Sequence, residues 1–124
     1  MMPLVKLMEY IKARIKSVVS SGIDVYSEEA DTDADFPYIV FKLPSSNMET
    51  LYKDKWVLEI DFWDNTGNST NIGIASEAVK DSLHGSYQTE SEGFFRSYKI
   101  FEGIIPDDTP KIKRIQHRYE VHLY

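Results

Sequence analysis

From Leu4 to Val19 the apolar side chains fall at Leu4, Leu7, Met8, Ile11, Ile15, Val18 and Val19. Recurrence at every third or fourth position makes a helical stripe, with Lys6, Glu9, Lys12, Lys16 and Ser17 on other faces. Pro3 suits a first helical turn, where its missing N–H costs nothing, and Ser20-Ser21-Gly22 supplies the stop. The period then shortens. Ile23 and Val25 alternate with Asp24 and Tyr26, which predicts a short strand. The run "PYIVFKLP" is apolar and rich in β-formers, and it is bracketed by Pro37 and Pro44. Proline cannot donate to a ladder and belongs at strand ends or edges, so "SSNMET" beyond it reads as a loop.

In "WVLEIDFWDNTGNS", Trp56, Leu58, Ile60 and Phe62 alternate with Val57, Glu59, Asp61 and Trp63. Strict alternation predicts a half-buried antiparallel strand with the first set facing the core. Asn65-Thr66-Gly67 is turn chemistry, and Asn68, Ser69 or Thr70 can cap a helix that starts there. This second helix is expected from Ile72 to Leu83 on Ile72, Ala75, Val79 and Leu83, with Gly85 at its C-terminal end. The remainder reads as strand: Gly93 to Ile105, a turn at "PDDTP", then Lys111 to Tyr124. In that last run Ile115, His117, Tyr119, Val121 and Leu123 share one face. Residues Ser86 to Thr89 leave room for one further short strand.

The element order is therefore α-β-β-β-α-β-β, with one optional extra β. It predicts an α+β fold in which two helices pack on one face of a mainly antiparallel sheet of five to six strands. The 124 residues form one domain, 1–124. A chain of this size buries about two-thirds of the surface its unfolded form exposes.

Composition narrows the chemistry. With no cysteine, disulfides, zinc–thiolate sites and cysteine nucleophiles are excluded, and the chain suits a reducing cytosol. The opening "MMPLVKLMEYIKARIK" is too short and too charged for a signal peptide or membrane span. Net charge is −6, which disfavours gripping a nucleic acid through phosphate contacts. It is compatible with DNA sliding past without sticking. Eight Tyr, six Phe and two Trp are many for so short a chain, and aromatic residues are enriched in strands and at protein interfaces.

Glu59, Asp61 and Asp64 are the candidate carboxylates for a metal-dependent, nuclease-like enzyme. Against that, "DNTGNS" lacks the alternating ligands of a calcium loop. Acids at Glu59 and Asp61 on the solvent face of a strand are also explained by Arg114 or Arg118 on a neighbour. We read the run as a joint between strand and helix. The block Glu28, Glu29, Asp31, Asp33 and Asp35 reads as a solvated loop or as the lining of a charge-repelling channel. His117 and His122 have opposite strand parity and cannot share a face, and His84 is explained by a helix C-terminal dipole. No serine or threonine sits in an elbow or triad context. Lys111, Lys113, Arg114 and Arg118 form a basic cluster, and the "NST" at Asn68 is too short a pattern to imply glycosylation. The final strand "YEVHLY" suggests a sheet edge that another subunit covers.

The layout resembles the tail-terminator or tail-completion (head–tail joining) proteins of long-tailed bacteriophages and their prophages. The residues that carry the likeness are "VYSEEADTDADFPYIVFKL", "WVLEIDFWDNTGNS", "IGIASEAVKDSLHG" and the closing "RYEVHLY". The resemblance implies a structural protein without catalytic residues, cofactor or metal. Such proteins assemble as rings, commonly hexamers, that stop tail-tube growth and meet the head connector. The implied location is the virion tail or neck, assembled in the bacterial host cytoplasm without a membrane partner. DNA passes through such a ring unbound, which gives Glu28, Glu29, Asp31, Asp33, Asp35, Glu59 and Asp61 a role as its inner wall. Ring contacts are expected from Tyr38, Tyr52, Trp63, Tyr98 and Tyr124. The alternatives are the metal-dependent enzyme and a monomeric adaptor module.

Overall fold

A computed structural model of the chain describes residues 3–50, 53–85, 87–90 and 93–124. Its elements are α1 (Leu4–Val18), β1 (Asp24–Ser27), β2 (Tyr38–Thr50), β3 (Lys53–Asp64), α2 (Thr70–Leu83), β4 (Tyr87–Glu90), β5 (Gly93–Ile105) and β6 (Lys113–Leu123). The optional extra strand is thus present as β4, and the expected α+β layout holds.

The strands form one sheet in the order β1-β2-β3-β6-β5-β4. All neighbours are antiparallel except β1 and β2, which pair in parallel from Asp24↔Tyr38 to Ser27↔Phe41. The acidic segment 28–37 carries the chain back to the end of the sheet at which β1 began, so the two strands run the same way. The long ladder between β3 and β6 lies at the centre, in register from Asp54↔Leu123 to Asp64↔Lys113.

Both helices cover one face of this sheet. Leu7, Ile11 and Ile15 on α1 and Ile72, Ala75, Val79 and Leu83 on α2 meet Ile39, Phe41, Leu58, Ile60 and Phe62 of the sheet. Phe95, Tyr119, Val121 and Leu123 complete the same core. Trp56 packs against it while half-buried. No side chain caps α1, which begins after Pro3. At α2 the cap residue is Ser69, but the capping oxygen comes from Asn68, whose Oδ1 accepts the Thr70 N–H at 3.1 Å. Gly85 adopts φ 71°, the left-handed conformation expected just past a helix, and its N–H bonds to the Ser97 carbonyl at 2.7 Å.

Two expectations need correction. The segment "SSNMET" is not a loop: β2 continues through it to Thr50. Pro44 is accommodated because the ladder shifts register between Lys42 and Ser45, where a missing N–H breaks no pairing. Moreover β1 covers only Tyr38–Phe41, so the Pro44 stretch has no neighbour on its other side among the described residues. The last strand is not an edge either. β6 sits between β3 and β5, and the sheet is flanked instead by the four-residue strands β1 and β4. Periodicity identifies strands but not their spatial order, which is why the chain end misled.

The core assignment predicts that Phe62→Ala lowers the unfolding free energy by about 3–5 kcal/mol. Val5→Ala, at an exposed site, should change it by less than about 0.5 kcal/mol. Urea unfolding of the two variants checks both values.

Candidate functional site

The helix-free face of the sheet carries most of the polar candidates. Strand parity puts Glu59, Asp61 and Trp63 on this face, beside Tyr38 and Lys42 of β2 and Arg114, Gln116 and Arg118 of β6. Asp61 is only 5% exposed. Its Oδ1 accepts the Arg114 Nε–H at 2.9 Å and the Gln116 amide at 3.0 Å. Glu59 lies 3.5 Å from the Lys42 ammonium and 3.6 Å from Arg118 Nε. Asp61 is therefore less wet than a solvent-facing acid would be. A buried carboxylate persists only when paired and hydrogen-bonded, and the Arg114–Gln116 pair supplies that.

Asp64 does not join them. It has the parity of Ile60 and Phe62, so its side chain lies on the opposite face from Glu59 and Asp61. There it is 1% exposed and organises the turn, accepting the Asn65 N–H at 2.8 Å and the Thr66 hydroxyl at 3.3 Å. The neighbouring Gly67, at φ 81°, donates its N–H to the Lys111 carbonyl, tying this turn to the turn before β6. The three acids thus form no common ligand set. No cluster of three or more His, Cys, Asp or Glu able to hold a metal occurs among the described residues.

Sequence reasoning missed a polar chain beneath α2. His117 is fully buried on the core face, edge-on to Phe62 at 5.1 Å between ring centroids. Its Nε2 lies 2.8 Å from Glu102 Oε1 and its Nδ1 lies 3.0 Å from the Tyr119 hydroxyl. One tautomer satisfies both contacts: Nε2–H donates to the carboxylate, and the Tyr119 O–H donates to Nδ1. Burial holds the imidazole below its ordinary pKa although Glu102 pulls the other way. Lost hydration raises Glu102, but hydrogen bonds from His117 and Lys99 outweigh it and leave the carboxyl lowered. Burial raises the Tyr119 hydroxyl, with the carboxylates of Glu102, Glu77 and Asp81 adding to it. The alternation Ile115, His117, Tyr119 was the available signal. A histidine in that series had to be buried, and a buried histidine needs a partner.

The other histidines are engaged as well. His84 Nδ1 accepts the Lys99 N–H at 2.9 Å, so the ring caps the edge of β5 rather than serving the helix dipole as expected. His122 pairs with Glu120 at 2.7 Å on the helix-free face.

Glu28, Glu29, Asp31, Asp33 and Asp35 are all exposed on the segment between β1 and β2. Glu28 and Glu29 border a depression of about 250 Å³ shared with Lys42, Trp63 and Arg114. Lost hydration and the nearby Asp24, Asp31 and Asp33 push the Tyr26 phenol above its ordinary pKa.

Of the aromatic residues singled out, Tyr38 and Trp63 stack at 6.3 Å, with Phe36 5.0 Å from Tyr38. The Arg114 guanidinium lies 4.9 Å above Trp63, which joins this stack to the Asp61 ion pair. Tyr98 sits edge-on to His122 at the other end of the same face. Tyr124 stacks on Phe94 at 4.9 Å. Tyr52 lies outside the described residues.

No protein-family model matches the sequence, and no curated protein matches it. Solved structures do match the fold. One is a chain of the structure described as "Virion of native gene transfer agent (GTA) particle". It superposes with a TM-score of 0.66 over 92% of this chain and 90% of that one, at 15% sequence identity. At that identity the likeness establishes a shared fold. No helix of the described residues is long and apolar enough to cross a membrane.

The His117 geometry generates a pH dependence. His117 is neutral in the fold and titrates near pH 6.5 when unfolded. Its contribution is complete above about pH 6.5 and is lost as pH falls from there toward the lower folded value. Urea midpoints should therefore decline below about pH 6.5, and His117→Gln should flatten that decline. An unchanged slope in the variant would show that another group is responsible.

Proposed function

We propose that this chain is a structural virion protein. In this reading it assembles as a ring of copies, caps a tail tube and joins it to a head connector without catalysis. The observation that carries the reading is the fold shared, over nine-tenths of both chains, with a component of a gene transfer agent virion. The sequence resemblance to tail-completion proteins points the same way. The geometry supports it from another side. Glu59, Asp61 and Asp64 are spent on ion pairs and a turn, so the acids that suggested an enzyme have structural partners.

Within this reading the passage of DNA falls to the exposed acids. A bore lined by carboxylates gives phosphates no counterion release to gain on contact. Glu28, Glu29, Asp31, Asp33 and Asp35 meet that condition on an exposed segment. Glu59 and Asp61 contribute less, because Lys42, Arg114 and Arg118 offset them locally. The half-buried Tyr38 and Trp63, on the face that neither helix covers, suit a protein surface at the ring contact. The partners are then further copies of the chain, a tail-tube protein and a head connector, within a virion tail or neck built in a bacterial cytoplasm.

Light scattering in the presence and absence of the tail-tube protein tests the reading. The expected result is a discrete multiple of 14.4 kDa, at the latest when the tube protein is added, together with arrested tube growth. A monomer under both conditions, leaving tube growth unaffected, would refute it.

A further inference from the structure

Each margin of the sheet is covered along only part of its length. β1 pairs with β2 along Tyr38–Phe41, and the Glu28 N–H on the Phe41 carbonyl extends that cover by one bond. β4 pairs with β5 along Gly93–Arg96, and Gly85 on the Ser97 carbonyl and His84 on the Lys99 N–H carry the cover slightly further. Among the described residues, no strand lies outside Lys42–Thr50 of β2 or outside Ile100–Ile105 of β5. On the second stretch Ile100 is 56% exposed and Ile104 66%. An open, partly apolar strand edge is a template for a strand from another chain.

The two open stretches lie at opposite ends of the sheet. Tyr38 is level with Trp63, Arg114 and Ile105, whereas Met48 is level with Asp54, Leu123 and Phe95. β1 therefore stands at the level of the open part of β5, and β4 at the level of the open part of β2. Three antiparallel steps separate β2 from β5, so β1 and β4 run in the same direction. Two copies set side by side without displacement along the strands would thus fill one shared column, half with β1 of the first and half with β4 of the second.

Hydrogen-bond phase agrees with that placement. The Tyr124 N–H bonds the Phe94 carbonyl, so even-numbered residues of β6 bond toward β5. Glu102 and Ile104 stand opposite odd-numbered residues of β6 and turn their backbone groups outward. Glu28 bonds inward to β2, so Val25 and Ser27 turn theirs outward, although the Ser27 carbonyl also accepts the Glu29 N–H. Val25 is level with Ile104, and Ser27 with Glu102. The same offset sets Met48, which faces outward from β2, between Tyr87 and Thr89, as a parallel ladder requires.

We infer that β1 of one copy pairs antiparallel with the open end of β5 in the next, while β4 of that next copy pairs with β2 of the first. The sheet then runs on from subunit to subunit, and Val25 comes alongside the exposed Ile104. A second copy is the occupant because the strand that completes each margin is present, in level, direction and phase, on the other margin of the same chain. The inference rests on the ring reading above and identifies its contact. The two margins differ, so the contact is heterologous, and such contacts propagate as rings or filaments. Successive copies need no displacement along the strands, which favours a closed ring.

The chain has no cysteine, which makes a disulfide test clean. Asp24 and Ile105 are level on the helix-free face and both bond inward. Across the contact they form a non-hydrogen-bonded pair with Cα atoms about 4.5 Å apart, within disulfide reach. Within one chain they stand four strand spacings apart, about 19 Å, and cannot bond. On mild oxidation Asp24→Cys and Ile105→Cys should each give no dimer alone and a disulfide-linked dimer when mixed. Asp24→Cys mixed with Ile104→Cys, whose thiols lie on opposite faces, should give about tenfold less. One chain carrying both Asp24→Cys and Ile105→Cys should give a ladder ending in a closed species. Adding Ile104→Pro to the Ile105→Cys chain removes an N–H that its own ladder does not use, and should lower the mixed yield about tenfold at limiting concentration. Equal yields from either control would overturn the pairing. Oligomers seen by light scattering without a 24–105 disulfide would overturn this contact while leaving ring assembly intact. Dimers of either single variant would overturn it by showing a two-fold contact. A monomer at every concentration up to about 1 mM, with no disulfide, would overturn both the contact and self-assembly by this chain alone.

Discussion

The antiparallel pairing of β3 with β6 is the constraint on which the rest of the molecule depends. Residues on the two strands alternate between faces in step, so one ladder serves two environments at once. On one side Leu58, Ile60 and Phe62 join Tyr119, Val121 and Leu123 beneath the helices. On the other, Glu59 and Asp61 meet Arg118 and Arg114. A slip of one residue would exchange these sets, placing paired charges under α2 and aromatic rings in water. Register is therefore strongly specified, although the two strands are separated in sequence by α2, β4 and β5. The same row continues outward to Phe41 on β2 and Glu102 on β5.

Much of this was legible because alternation is a local signal. The face shared by Leu58, Ile60 and Phe62, the helical stripe of α1 and the glycine after α2 each follow from a few adjacent residues. What escaped was non-local. The final strand carries nothing in "YEVHLY" that says it enters the middle of the sheet, since a strand's neighbours are set by the whole topology. The passage of β2 through Pro44 depended on a register shift and on the absence of a neighbouring strand there among the described residues. Asp61 was placed on the correct face, but its burial came from the reach of Arg114 and Gln116 across the ladder. The Tyr119–His117–Glu102 chain joins two strands, and only half of it was visible in either one.

The candidate site changed character for the same reason. As a string, Glu59, Asp61 and Asp64 looked like three carboxylates within six positions. In the fold they become two ion-paired acids on one face and a turn-forming acid on the other. What the chain leaves exposed lies elsewhere: an acidic segment, a helix-free aromatic face and apolar side chains on α1, α2 and β5. A chain of a gene transfer agent virion shares this fold over most of its length, and a shared fold by itself assigns no chemistry.

The carboxylates of the central ladder must be structural for this to hold, and a double-mutant cycle on Asp61→Asn and Arg114→Met, read by urea unfolding, tests it most directly. Arg114→Met should cost about 1–3 kcal/mol, since it strips the buried Asp61 of its cation, and Asp61→Asn should cost less, since Arg114 is about a quarter exposed and regains water. The pair should show a coupling above about 0.5 kcal/mol that neither magnesium nor a chelator alters. A coupling near zero, with millimolar magnesium stabilising the parent chain but not Asp61→Asn, would contradict the account and restore the acids as a metal site.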